Sequence, residues 1–179
     1  GDHVCFTFNV SCGRCRRCLE GRPYICERSI SPRAAGQLLS GHHRLHHDGK
    51  PVHHHSGVSC YAEYAVVDRG SVVVIDKSLP LDVAALFGCA VVTGVGAVIN
   101  TAQIQPGSTV AIVGLGGVGL SGLMGAVLAG AGRIVAIDLS DDKLGLARQL
   151  GATDTVNAKD ADHVQQVRDL TNGGVDYAF

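Results

Sequence analysis

The sequence predicts an α/β fold whose second part is built on a parallel sheet and whose first part carries a cysteine-rich lobe. Three observations support this prediction. Beyond about residue 85, apolar strand-like segments alternate with helical patterns, as in βαβ units. A glycine-rich turn follows the first of these strands. In the first part, short β-like runs are separated by polar loops, and four of the chain's 7 cysteines lie between residues 12 and 26.

The predicted elements follow from the spacing of apolar residues. In the first part the β-like runs are residues 4–10, 61–67 and 71–75. In the second part the predicted strands are residues 109–113, 133–138 and 153–157, with a further strand beginning near residue 175. The predicted helices are residues 118–129, 141–150 and 160–171.

Composition and charge restrict the classes of partner. The chain has 179 residues, 46% of them hydrophobic, and a formal net charge of −1, which gives no reason to expect nucleic acid or an anionic membrane. Two uncharged runs, 83–99 and 110–131, are long enough to span a bilayer as helices. The polar segment between them and the lack of flanking Lys/Arg clusters favour burial in a protein core instead. With no secretory leader pattern, we expect a cytoplasmic protein.

The four clustered cysteines have metal-ligand spacing. Cys12, Cys15, Cys18 and Cys26 form the pattern C-x2-C-x2-C-x7-C, and four thiolates make a closed tetrahedral shell for zinc. An iron–sulfur cluster is the nearest alternative, but in that motif the fourth cysteine follows after three residues and precedes proline. Two disulfides are a further alternative, which a reducing compartment disfavours. The sequence therefore predicts a structural zinc site.

The glycine-rich turn has the context of a dinucleotide site. Gly114, Gly116 and Gly119 give G-x-G-x-x-G directly after a predicted strand and at the start of a predicted helix, so backbone N–H groups can receive a pyrophosphate. Asp138 ends the next strand, where a carboxylate binds the ribose hydroxyls of NAD and repels the 2′-phosphate of NADP. Lys143 could add a ribose contact or be a surface lysine.

The order and spacing of these motifs resemble the medium-chain, zinc-dependent alcohol dehydrogenases along essentially the whole chain. The most specific match is Gly88-Cys89, then Thr93-Gly94, then the glycine turn. The resemblance implies that residues 1–88 are part of a GroES-like β-barrel catalytic domain, with the zinc lobe at 12–26. It also implies that residues 89–179 are the first half of an NAD-binding Rossmann domain with a doubly wound parallel sheet.

The resemblance further implies site residues and an activity. Cys89 corresponds to one of three ligands of the family's catalytic zinc, although by itself it could be a core cysteine. The residues matching coenzyme contacts are Thr93, Gly114, Gly116, Gly117, Val118, Gly119, Asp138 and Lys143. The parent enzyme would exchange a hydride between a small alcohol or aldehyde and NAD, as a homodimer or homotetramer. Both ends look cut and the other two catalytic zinc ligands are absent, so we expect the isolated chain to be inactive.

Two other functions stay open at this stage. The chain could be a non-catalytic module that binds zinc and a nucleotide. Alternatively, it could come from a dehydrogenase of the same family that acts on a glutathione adduct, a polyol or an aromatic alcohol. Seven histidines between residues 42 and 55 are predicted to lie in a solvated loop. Cys5, Cys60 and the tyrosines Tyr61, Tyr64 and Tyr177 are predicted to be packing residues.

Overall fold

The computed structural model of the protein describes residues 1–179, which divide into two compact units. Unit 1 is Gly1–Gly88 and unit 2 is Cys89–Phe179. Unit 1 consists of short elements joined by long loops. Unit 2 contains a parallel sheet with helices, and it carries most of the hydrophobic core.

The first small sheet of unit 1 is antiparallel. It pairs β1 (His3–Phe6) with β4 (Val72–Ile75). The predicted strand at 71–75 is thus found almost in full, whereas the one at 4–10 ends at Phe6. The predicted strand at 61–67 is wrong: these residues form bends and irregular backbone. A strand needs a hydrogen-bonded neighbour, and no other strand of the chain pairs with this segment.

Three expected packing residues lie on the surface instead. Tyr61 and Tyr64 of the irregular segment are almost fully exposed, and Cys60 beside them is also exposed. The prediction that they fill the core is therefore wrong for these three, because the segment that carries them does not join a sheet. Cys5 is half-buried on β1, where its thiol donates to the carbonyl of Ala84.

A second small sheet is a hairpin that the sequence-based predictions missed. β2 (Leu45–His47) pairs with β3 (Lys50–Val52) in antiparallel register. Asp48 and Gly49 connect them with φ angles of 49° and 72°. Two consecutive positive φ angles are the geometry of a type I′ turn, for which Asp-Gly is a preferred pair. The histidine-rich segment is therefore ordered around a tight hairpin.

Short helices complete unit 1. The α-helical ones are α1 (Arg16–Leu19) and α2 (Ile30–Ala34). Single 3₁₀ turns occupy Pro23–Ile25, His55–Gly57 and Arg69–Ser71. Their brevity reflects sequence with many glycine and proline residues and no sustained helical periodicity.

One long apolar helix runs from Leu81 to Ala102 and contains the boundary between the units. It consists of α3 (Leu81–Ala84), α4 (Val92–Gly96) and two π-helical segments, Phe87–Val91 and Ala97–Ala102. With a mean hydropathy of 2.0 over its most apolar window, this helix alone is long and apolar enough to cross a membrane. Only 17% of that window is buried, so the burial expected for residues 83–99 is found for a small part of the helix.

Unit 2 has a four-stranded parallel sheet whose strand order is β7-β6-β5-β8. Its strands are β5 (Thr109–Val113), β6 (Arg133–Asp138), β7 (Asp154–Asn157) and β8 (Tyr177–Ala178). Its helices are α5 (Gly117–Leu128), α6 (Asp141–Gln149) and α7 (His163–Leu170). The predicted bounds of these elements agree with the structure to within three residues. The parallel sheet predicted for this part of the chain is confirmed.

Both faces of the central strands are buried. Alternate residues of β5 and β6, such as Ile112 and Ile134, pack with Leu123 of α5. Their neighbours, such as Ala111 and Val135, face the opposite side of the sheet and join a second cluster. A strand buried on both faces reads as a continuous apolar run, which explains the uncharged sequence of this region.

Small residues let α4 approach α5 closely. A methyl group added at Gly94 would lie 2.6 Å from both the Gly122 nitrogen and the Ser121 Cβ, and would overlap the Val118 carbonyl oxygen. The two helices therefore pack with their backbones almost in contact, at the start of the helix that follows the glycine turn.

Candidate functional site

The four cysteines of the lobe converge on one point. The Sγ atoms of Cys12, Cys15, Cys18 and Cys26 all lie within 4.8 Å of one another. The Cys15 Sγ is 3.5 Å from that of Cys18 and 3.9 Å from that of Cys26. Four zinc–sulfur bonds of about 2.3 Å in a tetrahedron place sulfur atoms about 3.8 Å apart. The donor set and its spacing therefore fit a zinc ion, and all four are free thiols rather than disulfides.

Backbone N–H groups point at these sulfur atoms. The Cys12 N–H donates to the Cys26 Sγ (3.4 Å), and the Cys15 N–H donates to the Cys12 Sγ (3.3 Å). The backbone N–H of Cys18 is the main cause that lowers the pKa of Cys15 to about 6, whereas burial raises the pKa of Cys18 to about 11. Cysteine binds a metal ion as a thiolate, so a thiol that ionises easily favours metal binding. A bound cation would displace the protons that the other thiols keep.

Two of the four arginines of the lobe are paired with carboxylates on its surface. Arg16 and Arg17 contact Glu20 at 2.7 and 3.2 Å, and Arg17 also lies 3.8 Å from Glu27. These exposed pairs contribute little to stability. They satisfy the arginines locally, so a solvated basic surface accounts for them without a role at the sulfur atoms.

The glycine turn leaves the carboxyl end of β5 and begins α5. Gly114 has φ +87°, a conformation that favours glycine, and a methyl group at Gly119 would overlap the Gly114 carbonyl oxygen. Gly116, in contrast, has no heavy atom within 4 Å of the position that a Cβ would take. Open space above the first turn of a helix is where backbone N–H groups can bind a pyrophosphate.

Asp138 sits beside this turn at the carboxyl end of β6. Its Oδ2 accepts the Leu115 N–H at 2.7 Å, and its Oδ1 accepts the Ser140 N–H at 2.9 Å. The Lys143 Nζ is 3.8 Å from the same carboxylate, whose side chain is 10% exposed. The Leu115 N–H, then the Ser140 N–H and Lys143, hold the pKa of Asp138 below its ordinary value. The carboxylate is thus ionised and tied to the glycine turn.

The remaining predicted residues lie at exposed positions of unit 2. Cys89 is exposed in a π-helical segment, Thr93 is exposed on α4, and Val118 is 39% exposed in the first turn of α5. Cys89 belongs to no cluster of three or more metal-ligating side chains, since the four lobe cysteines form the single such group in the chain. Within unit 1 the structure therefore brings the four lobe ligands together, and within unit 2 it brings Asp138 to the glycine turn.

Two features of the site were not predicted from the sequence. The Leu115 and Ser140 N–H groups anchor Asp138, and the Ser121 hydroxyl donates to the Gly117 carbonyl at 2.6 Å within α5. Ser140 follows Asp138 by two residues, the spacing of a local Asx turn, so that contact had a sequence signal. The contact between Leu115 and Asp138 joins residues that are 23 positions apart in the sequence, and it forms because β5 and β6 are neighbours in the sheet.

Comparisons with known proteins relate the chain to one family. Residues 117–179 match the family model described as zinc-binding dehydrogenase. The whole chain is 42% identical to S-(hydroxymethyl)glutathione dehydrogenase of Saccharomyces cerevisiae. Residues 117–179 thus match a zinc-binding dehydrogenase domain, and the chain as a whole is similar to a member of that family.

Solved structures show the same similarity. A zinc-binding alcohol dehydrogenase domain protein from Burkholderia ambifaria superimposes with a TM-score of 0.87 at 38% identity over 99% of the chain. Benzyl alcohol dehydrogenase from Acinetobacter calcoaceticus superimposes with a TM-score of 0.85 at 35% identity, also over 99%. The chain spans 48% of the yeast protein and 48% of each of these structures, about half their length.

Proposed function

We propose that the chain provides the structural zinc site and the nucleotide-binding turn of an NAD-dependent alcohol dehydrogenase. The observation that supports this most directly is the combination at the carboxyl ends of β5 and β6. An open glycine turn at Gly116 lies beside an ionised Asp138 that faces it. A pyrophosphate fits the open glycine turn, and the hydroxyl groups of a ribose fit the Asp138 carboxylate.

The proposed roles follow from chemistry for the glycine turn and Asp138, and from the family resemblance for Thr93, Val118 and Cys89. Backbone N–H groups of residues 116–118 would bind the pyrophosphate, and Asp138 would accept hydrogen bonds from the ribose hydroxyls, with Lys143 as a second contact. Thr93 and Val118 would line the nicotinamide pocket, and Cys89 would be one ligand of a catalytic zinc. A zinc held there would supply Lewis-acid chemistry at the alcohol oxygen, and NAD held by the turn and Asp138 would supply the hydride acceptor.

The organisation of the longer enzyme belongs to the same proposal. Residues 1–88 would be part of a GroES-like catalytic domain and residues 89–179 part of the coenzyme domain. The similarity of the chain to relatives of this family supports this division. A cytoplasmic homodimer or homotetramer that binds neither nucleic acid nor membrane is the assembly we expect.

The substrate class is an alcohol or aldehyde. The named relatives act on different members of this class: one is a dehydrogenase of S-(hydroxymethyl)glutathione and another of benzyl alcohol. Both match the chain well, so the glutathione adduct and the aromatic alcohol are equal candidates for its substrate.

Asp138→Asn tests the ribose contact. The substitution removes the negative charge, so affinity for NAD should fall about 10- to 100-fold, the effect of losing charge-assisted hydrogen bonds. The preference for NAD over NADP should fall with it, because the 2′-phosphate is no longer repelled. Dissociation constants for both nucleotides, measured by calorimetry on the zinc-loaded protein, check this.

Asp142→Asn is the matched control, since it removes the same charge from an exposed position in the first turn of α6. Its affinities should stay within about twofold of the unmodified chain, as expected for a surface charge. An Asp138→Asn variant that kept full affinity and full preference for NAD would exclude the proposed ribose contact.

A non-catalytic zinc- and nucleotide-binding module is the second candidate, favoured because the two sites that the structure assembles, the four-cysteine cluster and the glycine turn with Asp138, are the two that such a module needs. The two candidates differ in turnover. Oxidation of an alcohol by the zinc-loaded protein with NAD, lost in Cys89→Ala, would support the enzyme. Tight NAD binding without such turnover in the full-length gene product would support the module.

A further inference from the structure

One histidine of the histidine-rich segment is buried, unlike the others. His54 is 3% exposed, and its backbone N–H donates to the Gly36 carbonyl at 2.8 Å. Its ring Nε2 accepts the backbone N–H of Arg44 at 3.0 Å. Through these two contacts His54, near the end of the segment, is hydrogen-bonded both to Gly36 at its beginning and to Arg44 in its middle. We call residues 36–55 the histidine loop.

The protonation state of the His54 ring follows from its partner. A backbone N–H can only donate, so Nε2 must carry the lone pair and Nδ1 must carry the proton of the neutral ring. The Nδ1 atom is buried and has no hydrogen-bond partner. Protonation would place a hydrogen on Nε2, directly facing the Arg44 N–H. The bond between them would be replaced by two opposed donors and a buried charge.

Burial and the neighbouring His43 oppose the protonation of His54. His43 faces it and its ring stacks on that of His53, with 5.5 Å between ring centroids. Arg44 supplies the backbone donor, and His55 follows in the chain. On the Gly36 side the titratable group is His53, whose ring lies against Gly36. No carboxylate lies within 4.0 Å of the His54 ring, since the one histidine–carboxylate contact of the chain joins His47 to Asp48.

We propose that the histidine loop is an acid-sensitive element in which protonation of His54 breaks its bond to Arg44 and releases the segment from its folded conformation. Leu39 and Ser40 of this loop line a groove of about 540 Å³ that Cys12 and Arg14 of the zinc lobe also line. Release of the loop therefore opens the surface beside the lobe. The proposal is independent of the dehydrogenase activity.

The direction of the pH effect is fixed by linkage. Burial, and then the charge of His43, lower the pKa of His54 in the folded loop below 6.5. In the released loop the ring returns to the ordinary value of about 6.5. The stability of the closed loop is therefore complete above that pH. It is lost as the pH falls from the ordinary pKa towards the lowered one.

The test is amide hydrogen exchange on the zinc-loaded chain between about pH 8 and pH 5, the range over which histidine titrates. Protection of the Arg44 and His54 amides, corrected for intrinsic exchange rates, should fall as the pH drops below about 6.5, at most about tenfold per pH unit, and level off once the lowered pKa of His54 is passed. His54→Gln should remove this dependence, because its side-chain oxygen can accept the Arg44 N–H and cannot be protonated.

Two further variants separate the outcomes. His46→Gln, an exposed histidine on β2, should keep the profile of the unmodified chain. His54→Ala should lose protection at every pH. If His54→Gln does not fold, direct NMR titration of the His54 ring nitrogens in the unmodified chain decides the matter. A ring that titrates at its ordinary pKa, or amide protection that stays constant across the range, would overturn the proposal.

Discussion

Replacing Gly119 with alanine should destabilise unit 2 by at least about 3 kcal/mol and abolish NAD binding. The added methyl group overlaps the carbonyl oxygen of Gly114, and both atoms belong to positions fixed by the backbone. No side-chain rotation can relieve such an overlap, so the glycine turn must move away from β5. Thermal or denaturant unfolding measures the loss of stability, and calorimetry with NAD measures the loss of binding.

Two other glycines supply the matched controls for this prediction. Gly145→Ala lies inside α6, where a methyl group meets nothing within 4 Å, and should stabilise the chain by about 1 kcal/mol through helix propensity. Gly116→Ala also meets nothing, and its φ of −77° suits alanine, so the fold should be kept, with a loss of at most about 1 kcal/mol because alanine is a poorer N-cap than glycine. Its methyl group would nevertheless fill the proposed pyrophosphate space and weaken NAD binding at least about tenfold.

These three variants separate folding from binding. A loss of stability in Gly116→Ala as large as that expected for Gly119→Ala would contradict the geometry of the turn. Normal stability in Gly119→Ala would contradict it as well. Unchanged NAD affinity in Gly116→Ala would mean that the pyrophosphate binds elsewhere.

Cys15→Ser should release the structural zinc and unfold residues 12–26. The Cys15 Sγ contacts two other ligand sulfurs at 3.5 and 3.9 Å, so its loss opens the closed shell. Structural zinc contributes about 10–16 kcal/mol of apparent binding free energy in small zinc domains, and the lobe has little apolar core to replace it. Metal analysis of tag-free protein should give about one zinc per unmodified chain and none per variant chain.

The matched control for the zinc prediction is Cys60→Ser. Cys60 is an exposed thiol of the same unit that takes no part in the sulfur cluster, so this variant should keep its zinc and its stability. Weakly held metal on the histidine loop must first be stripped with a mild chelator. Equal zinc content in both variants, or an iron–sulfur absorbance, would contradict the assignment of the lobe.

The elements of unit 2 could be predicted because their buried residues form continuous apolar segments in the sequence. β5 and β6 are apolar on both faces, and turn residues bound them. Unit 1 was harder. The segment 61–67 has strand-like composition, but strand formation depends on a neighbour that the composition does not reveal. The β2–β3 hairpin had a signal in Asp48-Gly49 that the histidines around it obscured.

The site was predictable where ligands are close in the chain and unpredictable where they are distant. The cysteines of the lobe span 12–26, so their spacing alone indicates convergence. The contact between Asp138 and Leu115 depends on which strands are neighbours. The burial of His54 depends on Gly36 and Arg44, which no local pattern relates to it. Tertiary contacts, not composition, give these side chains their environments.

The proposal that the glycine turn binds NAD is tested most directly by NMR titration of the zinc-loaded chain with NAD. The amide signals of residues 114–119 and of Ser140 should move most, since these groups surround the open turn and Asp138. Signals of the zinc lobe at 12–26 should not move. NAD-induced shifts that were absent from the turn, or that centred on another part of the chain, would contradict the proposal.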